Sequence, residues 1–411
     1  MQPATFINDL KLRASLGYSG NNNGISAFDA QLTPQTNNVI WYDFNGAAVR
    51  GFMSGPPINA SLTWEKTREL NLGLDFSMFN HRVRGNIEVY DKLSDGLLMR
   101  RTLTVESGVP YMMDNIGSVN NRGVEVGLHT TNISRNDWEW ITSFMFSHNK
   151  NQIRSLYGKE EDVIGEARFI GKPIEVIYDY RIMGLWRMDQ IAEVAQYGQQ
   201  PGQAIAADTD GNGTITPADR VILGSPYPDW IGSVTSNLRY KNWDLSVNLY
   251  TRQGVFVSDR FLEEFGPQNT QRGRPKIRYD YYIPPGAPRY DWNNWGTHAD
   301  GSPQAVWGDS GAGNENAKYP HPQNVGPYYG GNGRYTDASF VKIRNIVMGY
   351  SLPSSLVSKW KMSSMRVYAN ILNPFVFTKY EGWDPEYATT GLSDGNGPSN
   401  VTYQLGVNVR F

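Results

Sequence analysis

The sequence predicts an all-β chain: an antiparallel transmembrane β-barrel segment of about ten strands with long extracellular loops. Three observations carry this reading. Apolar and polar residues alternate with a period of two over stretches of about ten residues. The connections between those stretches alternate between short turns and very long loops. Aromatic residues make up 13% of the chain, with 24 Tyr, 16 Phe and 12 Trp, and gather where stretches end, as an interfacial girdle requires.

Taken in order, Leu10, Leu12, Ala14, Leu16 and Tyr18 share one face, and Lys11, Arg13, Ser15 and Gly17 the other. Leu70, Leu72, Leu74 and Phe76 alternate with Asn71, Gly73, Asp75 and Ser77, and Asn80-His81-Arg82 turns the chain into a strand over 83–101. Val124, Val126 and Leu128 alternate with Glu125, Gly127 and His129, ahead of a turn at 134–137 and a strand over 138–147. Residues 230–240 and 243–253 form a hairpin around Lys241-Asn242. After a long irregular stretch come strands over 340–352, 365–377 and 401–411, with a short helix expected at 354–360. In the last strand Tyr403, Leu405, Val407, Val409 and Phe411 lie opposite Thr402, Gln404, Gly406, Asn408 and Arg410. Turns are short on one side, whereas 150–228 and 254–338 are long loops on the other. With the first strand running outward, the last runs inward and ends in the periplasm.

The composition is compatible with such a wall. The mean hydropathy is −0.50, and no run approaches the eighteen or so apolar residues of a transmembrane helix. A soluble β-sandwich shares the alternation but seldom the parity of loop lengths. The net charge of −2, from 38 basic and 40 acidic residues, gives no basic footprint for nucleic acid. There is no Cys, which excludes disulfide scaffolds and thiolate metal sites. The N-terminal residues lack the basic and apolar regions of a signal peptide. An exported chain without one is expected to be a piece of a longer protein.

One motif carries metal chemistry. Asp208, Asp210, Asn212, Thr214, Thr216 and Asp219 fall at positions one, three, five, seven, nine and twelve of a calcium loop, with Gly213 at the sharp turn. Calcium is the expected ion, and Asp at position twelve replaces the usual Glu. Asx-rich turns also pack loops without metal. In the 254–338 loop, Tyr281, Tyr282, Trp292 and Trp295 lie beside Asp, Asn and Arg, a combination suited to stacking on sugar rings or on peptide. The five His show no HExxH spacing, there is no GxSxG, and Lys159-Glu160-Glu161-Asp162 reads as a solvated loop. An enzyme is not expected.

Several segments together resemble the SusC/RagA family of TonB-dependent outer-membrane transporters: LKLRASLGYSGNNNG from Leu10, WEKTRELNLGLD from Trp64, NIGSVNNRGVEVG from Asn115, the Asp208–Asp229 stretch, SFVKIRNIVMGYSLP from Ser339 and LNPFVFTKYEGWDPE from Leu372. The resemblance implies a plugged barrel of about 22 strands, of which this chain is the C-terminal part, with plug domain, TonB box and signal peptide absent. It implies import of glycan oligosaccharides or oligopeptides, a SusD-like surface lipoprotein as lid, and the TonB complex acting through the plug. The chain alone is expected not to transport. Two rival readings are a siderophore or cobalamin receptor and a soluble glycan-binding β protein; dependence on detergent separates the last from the others.

Overall fold

A computed structural model describes residues 6–23, 35–53, 59, 61–107, 111–259, 282–283, 288–297, 303–309, 313–314, 316–320, 326, 335–388 and 399–411. Ten strands form one sheet: β1 (Ile7–Asn21), β2 (Glu65–Met78), β3 (Val83–Thr102), β4 (Tyr111–Arg135), β5 (Trp138–Leu156), β6 (Trp230–Tyr240), β7 (Trp243–Gln253), β8 (Phe340–Ser351), β9 (Ser364–Thr378) and β10 (Thr402–Arg410). They pair antiparallel in sequence order, with β1 and β10 at the edges. The expected ten antiparallel strands are borne out. Among the described residues no helix is long and apolar enough to cross a membrane.

The tight turns form where the chain tolerates left-handed backbone. Phe79, Asn80 and His81 have φ of 55°, 55° and 61° between β2 and β3. Asn136 (53°) and Lys241 (52°) serve the β4–β5 and β6–β7 turns. The longer β8–β9 turn holds the expected short helix, Ser354–Val357, continued by a 3₁₀ turn over Ser358–Trp360. All four lie at one end of the sheet, and tilted Trp138–Tyr240 and Trp243–Tyr350 ring pairs stand beside two of them.

Register puts every apolar column on one face. Leu12 pairs with Leu74, Leu72 with Val89, Val89 with Val124, and Val367 with Val407. These side chains meet no second layer: Leu12 is 78% and Leu405 87% exposed. An apolar face that spans a whole sheet without cover is matched to lipid, not water.

The opposite face is a lattice of ion pairs that cross strands. Arg13 donates to Asp75 at 2.8 Å and to Glu88 at 2.7 Å, lying flat over Gly73, where a Cβ would sit 2.9 Å from the guanidinium carbon. Arg366 on β9 likewise reaches Asp244 on β7 across Gly349 of β8. A glycine under each bridge lets a long side chain span three strands.

Several strands continue beyond their expected ends. β5 runs to Leu156 and not to 147, and β4 has 25 residues, roughly 80 Å of chain. Past the membrane both faces are wet, so alternation fades in Asn149-Lys150-Asn151-Gln152 while pairing persists. The stretch after β7, read as irregular, contains paired short strands, Phe256–Ser258 with Tyr335–Asp337 and Pro288–Thr297 with Pro303–Asp309. Buried hydrophobic clusters form mostly at this loop end: Val119, Ile153 and Leu156 in one, and Val255, Val257, Ala338, Tyr380 and Ala388 in another.

Candidate metal loop and loop anchors

The loop after β5 folds into two small ribbons. Ile177–Tyr180 pairs with Arg220–Gly224, and Ile182–Leu185 with Ala204–Ala206. The acidic segment leaves one ribbon and returns to the other. Its two ends are pinned side by side, because the Ala207 amide donates to the Arg181 carbonyl while Arg220 pairs with Tyr180.

Within it, Gly211 and Gly213 take φ of 71° and 79°, and the chain curls around Asp208. The Asp208 carboxylate accepts from the amides of Gly211, Asn212 and Gly213 at 2.7–3.2 Å. Asp210 accepts from the Asn212 amide, and Asn212 from the Thr214 amide and hydroxyl. Asp219 is fully buried and joins both ends of the loop. Its oxygens accept from the Thr209 and Thr216 amides, each at 2.8 Å, while the Thr216 hydroxyl accepts from Ala218. Backbone amides, Thr216 first, then Thr209 and Asp210, outweigh burial and hold the Asp219 carboxyl below its ordinary range.

Oxygens of Asp208, Asp210 and Asp219 converge within 4.8 Å of one another, and among the described residues none of the three has an ion-pair partner. Three carboxylates without a cationic side chain are a hard-oxygen donor set, suited to calcium. Thr214 and Thr216 lie in the same loop, Thr214 donating to Asn212 and Thr216 to Asp219.

Of the four aromatic residues, Tyr282, Trp292 and Trp295 lie within the described residues. Tyr282 is buried against Gly202, where a Cβ would meet its ring at 2.2 Å, and its amide donates to the Tyr319 carbonyl. It ties the 254–338 loop to the loop after β5. Trp292 and Trp295 lie on the Pro288–Thr297 strand. Tyr281 falls outside the described residues.

Sequence reasoning missed a second constellation. Lys342 on β8 is 1% exposed, and its ammonium donates to Asp384 at 3.2 Å, Glu386 at 3.0 Å and Ser399 at 3.0 Å. Arg344 binds the other Glu386 oxygen and stacks 3.9 Å above the Tyr250 ring. Asp384 also caps the 3₁₀ turn Pro385–Tyr387 by accepting from the Glu386 amide. Burial pushes the Asp384 carboxyl up, but Ser399, the Glu386 amide and Lys342 outweigh it and leave it below its ordinary value. Tyr380, in the same segment, packs into the cluster of Val255 and Val257. The segment after β9 is thereby fastened to β8 and to the chain leaving β7. The available signal was the pair of cations in VKIRN and the pair of acids in WDPE.

No family model matches the sequence. The chain is 28% identical over 439 residues to TonB-dependent receptor P3 of Formosa agariphila, covering all of this chain and 40% of that protein. It is 27% identical over 430 residues to TonB-dependent receptor SusC of Bacteroides thetaiotaomicron, covering all of this chain and 38% of that protein. It thus spans about two fifths of these relatives' length. Structures of the RagAB peptide transporter share the fold, with a TM-score of 0.71 at 20% identity over all of this chain and 42% of the other.

Proposed function

We propose that this chain forms ten strands of the barrel wall of a nutrient importer of the outer membrane, of the TonB-dependent receptor type to which its relatives belong. The observation that carries the reading is the division of the sheet: an uncovered apolar face, and a polar face laced by Arg13–Asp75–Glu88 and Arg366–Asp244. One face suits lipid and the other an aqueous lumen. Oligosaccharide is the preferred substrate class, with oligopeptide second, because Trp292 and Trp295 beside Asp291, Asn293 and Asn294 suit sugar rings. A SusD-like lipoprotein would close the outer mouth, and the TonB complex would act through a plug. The role is transport and not catalysis.

Calcium belongs to this reading. Asp208, Asp210, Asn212 and Asp219, with Thr214 and Thr216, would hold the ion, which supplies rigidity to the loop after β5.

The test is uptake by cells carrying the full-length receptor with its lipoprotein partner. Labelled oligosaccharide should accumulate, and a protonophore or loss of TonB should abolish the accumulation. Accumulation of oligopeptides alone would shift the substrate to peptide. A receptor soluble without detergent would overturn the barrel reading.

A further inference from the structure

The apolar face does not end in uncharged residues on every strand. Across β2 to β5 register aligns three outward rows. The last apolar row is Leu72, Val89, Val124 and His148. The next, toward the long loops, is Leu70, Asp91, Arg122 and Lys150, and above it Arg68 leads Leu93, Asn120 and Gln152. Lys66 follows on the same face, with Asp95 opposite it in register. Positive charge therefore enters within one residue pair of the lipid-facing columns, on the side away from the polar lattice.

Of these four cations only Arg122 is in an ion pair among the described residues. Asp91 is satisfied internally, accepting from Arg122 Nε at 2.7 Å and Asn120 Nδ2 at 2.6 Å. Among the described residues Lys66, Arg68 and Lys150 have no ion-pair partner, and all three are exposed. Beside Lys150 lies a groove of about 380 Å³, lined by Leu70, Leu72, Val89 and Val124 and edged by His148, Arg122, Lys150 and the Asp91 that Arg122 holds. An apolar trough below a cationic rim, at the level where a strand leaves the bilayer, matches an acyl chain below a phosphate.

We propose that the outward face of β2–β5, at Arg68, Arg122 and Lys150, binds the phosphate of an acylated glycolipid of the outer leaflet. The inference rests on the barrel reading above, since only that reading places this face in lipid. Arg122 keeps two terminal nitrogens for the phosphate while Nε holds Asp91. The acyl chain continues down the apolar column.

Native mass spectrometry of the full-length receptor in non-ionic detergent tests this, with diphosphoryl lipid A, the same lipid dephosphorylated, and inorganic phosphate as probes. The wild type should retain the phosphorylated lipid about tenfold better than the dephosphorylated one. The double variant Arg68→Gln/Lys150→Gln, which breaks no internal ion pair, should lose that preference. A control pair at the opposite end, Lys359→Gln/Lys361→Gln, should keep it. Equal retention of both lipids by the wild type, or undiminished preference in the double variant, would overturn the site. So would an equal response to inorganic phosphate. If the receptor were found outside the membrane, the barrel reading itself would fail; if it sits in the membrane without preference, only the lipid site fails.

Discussion

Lys342→Met should free the segment after β9 from the barrel wall. The ammonium serves two carboxylates, Asp384 and Glu386, and the Ser399 hydroxyl from a position sealed from water. Removing one partner of a buried pair leaves the others charged and unmatched, which costs about 3–5 kcal/mol. Glu386 is partly exposed and keeps Arg344, so the lower end of that range applies. Hydrogen exchange at residues 379–388 should accelerate on the order of a hundredfold, with little change in β1–β3. The double variant Lys342→Met/Asp384→Asn should recover most of the protection, because Glu386 keeps Arg344 and no buried charge is left unmatched. If Lys342→Met alone left exchange unchanged, the network would be ornamental and the cluster of Tyr380 with Val255 and Val257 would be the true anchor. Acid gives an independent check. The Asp384 carboxyl is depressed in the folded protein, so its contribution is fully present above the ordinary carboxylate range. It is lost as pH falls through the depressed folded value. Protection of this segment should therefore hold from neutral pH through mild acid and fall only below the usual Asp titration.

What the sequence made legible follows the environment of each residue. Strands inside the membrane face lipid on one side and water on the other, so Leu10 to Tyr18 or Tyr403 to Val409 spell out their own register. Hairpin turns were readable where two residues connect two aromatic-flanked runs, as at Lys241-Asn242. Alternation lost its meaning past the membrane, and the upper halves of β4 and β5 were missed because Asn and Gln pair equally well with either face wet. The acidic loop was legible because its ligand spacing is local. The Lys342 network was not, since its partners are 42 to 57 residues apart in sequence and meet only when β9 folds back beside β8. Tyr282 shows the converse: an aromatic in a polar loop is read as a platform, yet it fills the space over Gly202.

Chelation should loosen the acidic loop without unfolding the barrel. Two forces hold residues 208–219 and can be separated. Backbone amides donating to Asp208 and Asp219 define the curl and require no ion. The convergence of three carboxylates within 4.8 Å opposes it, since like charges repel strongly where few water molecules intervene. A divalent cation reverses the sign of that second contribution. At free calcium a hundred times the dissociation constant, a loop that binds only when closed opens about a hundred times less often. In the full-length receptor, EGTA should therefore raise proteolytic cleavage within 208–219 by up to about that factor, and added calcium should reverse it. Magnesium should do so poorly, because it gives up its water reluctantly. Asp208→Asn/Asp210→Asn relieves the repulsion as well as removing ligands, so that variant should be moderately protected and indifferent to chelator. Asp219→Ala takes away the amide acceptor that joins the two ends of the loop, and should be cleaved readily with or without calcium. Equal protection of the wild type in EGTA and in calcium, with no heat of calcium binding by calorimetry, would mean that the amide bonds alone outweigh the repulsion and that the loop is an Asx-stabilised turn.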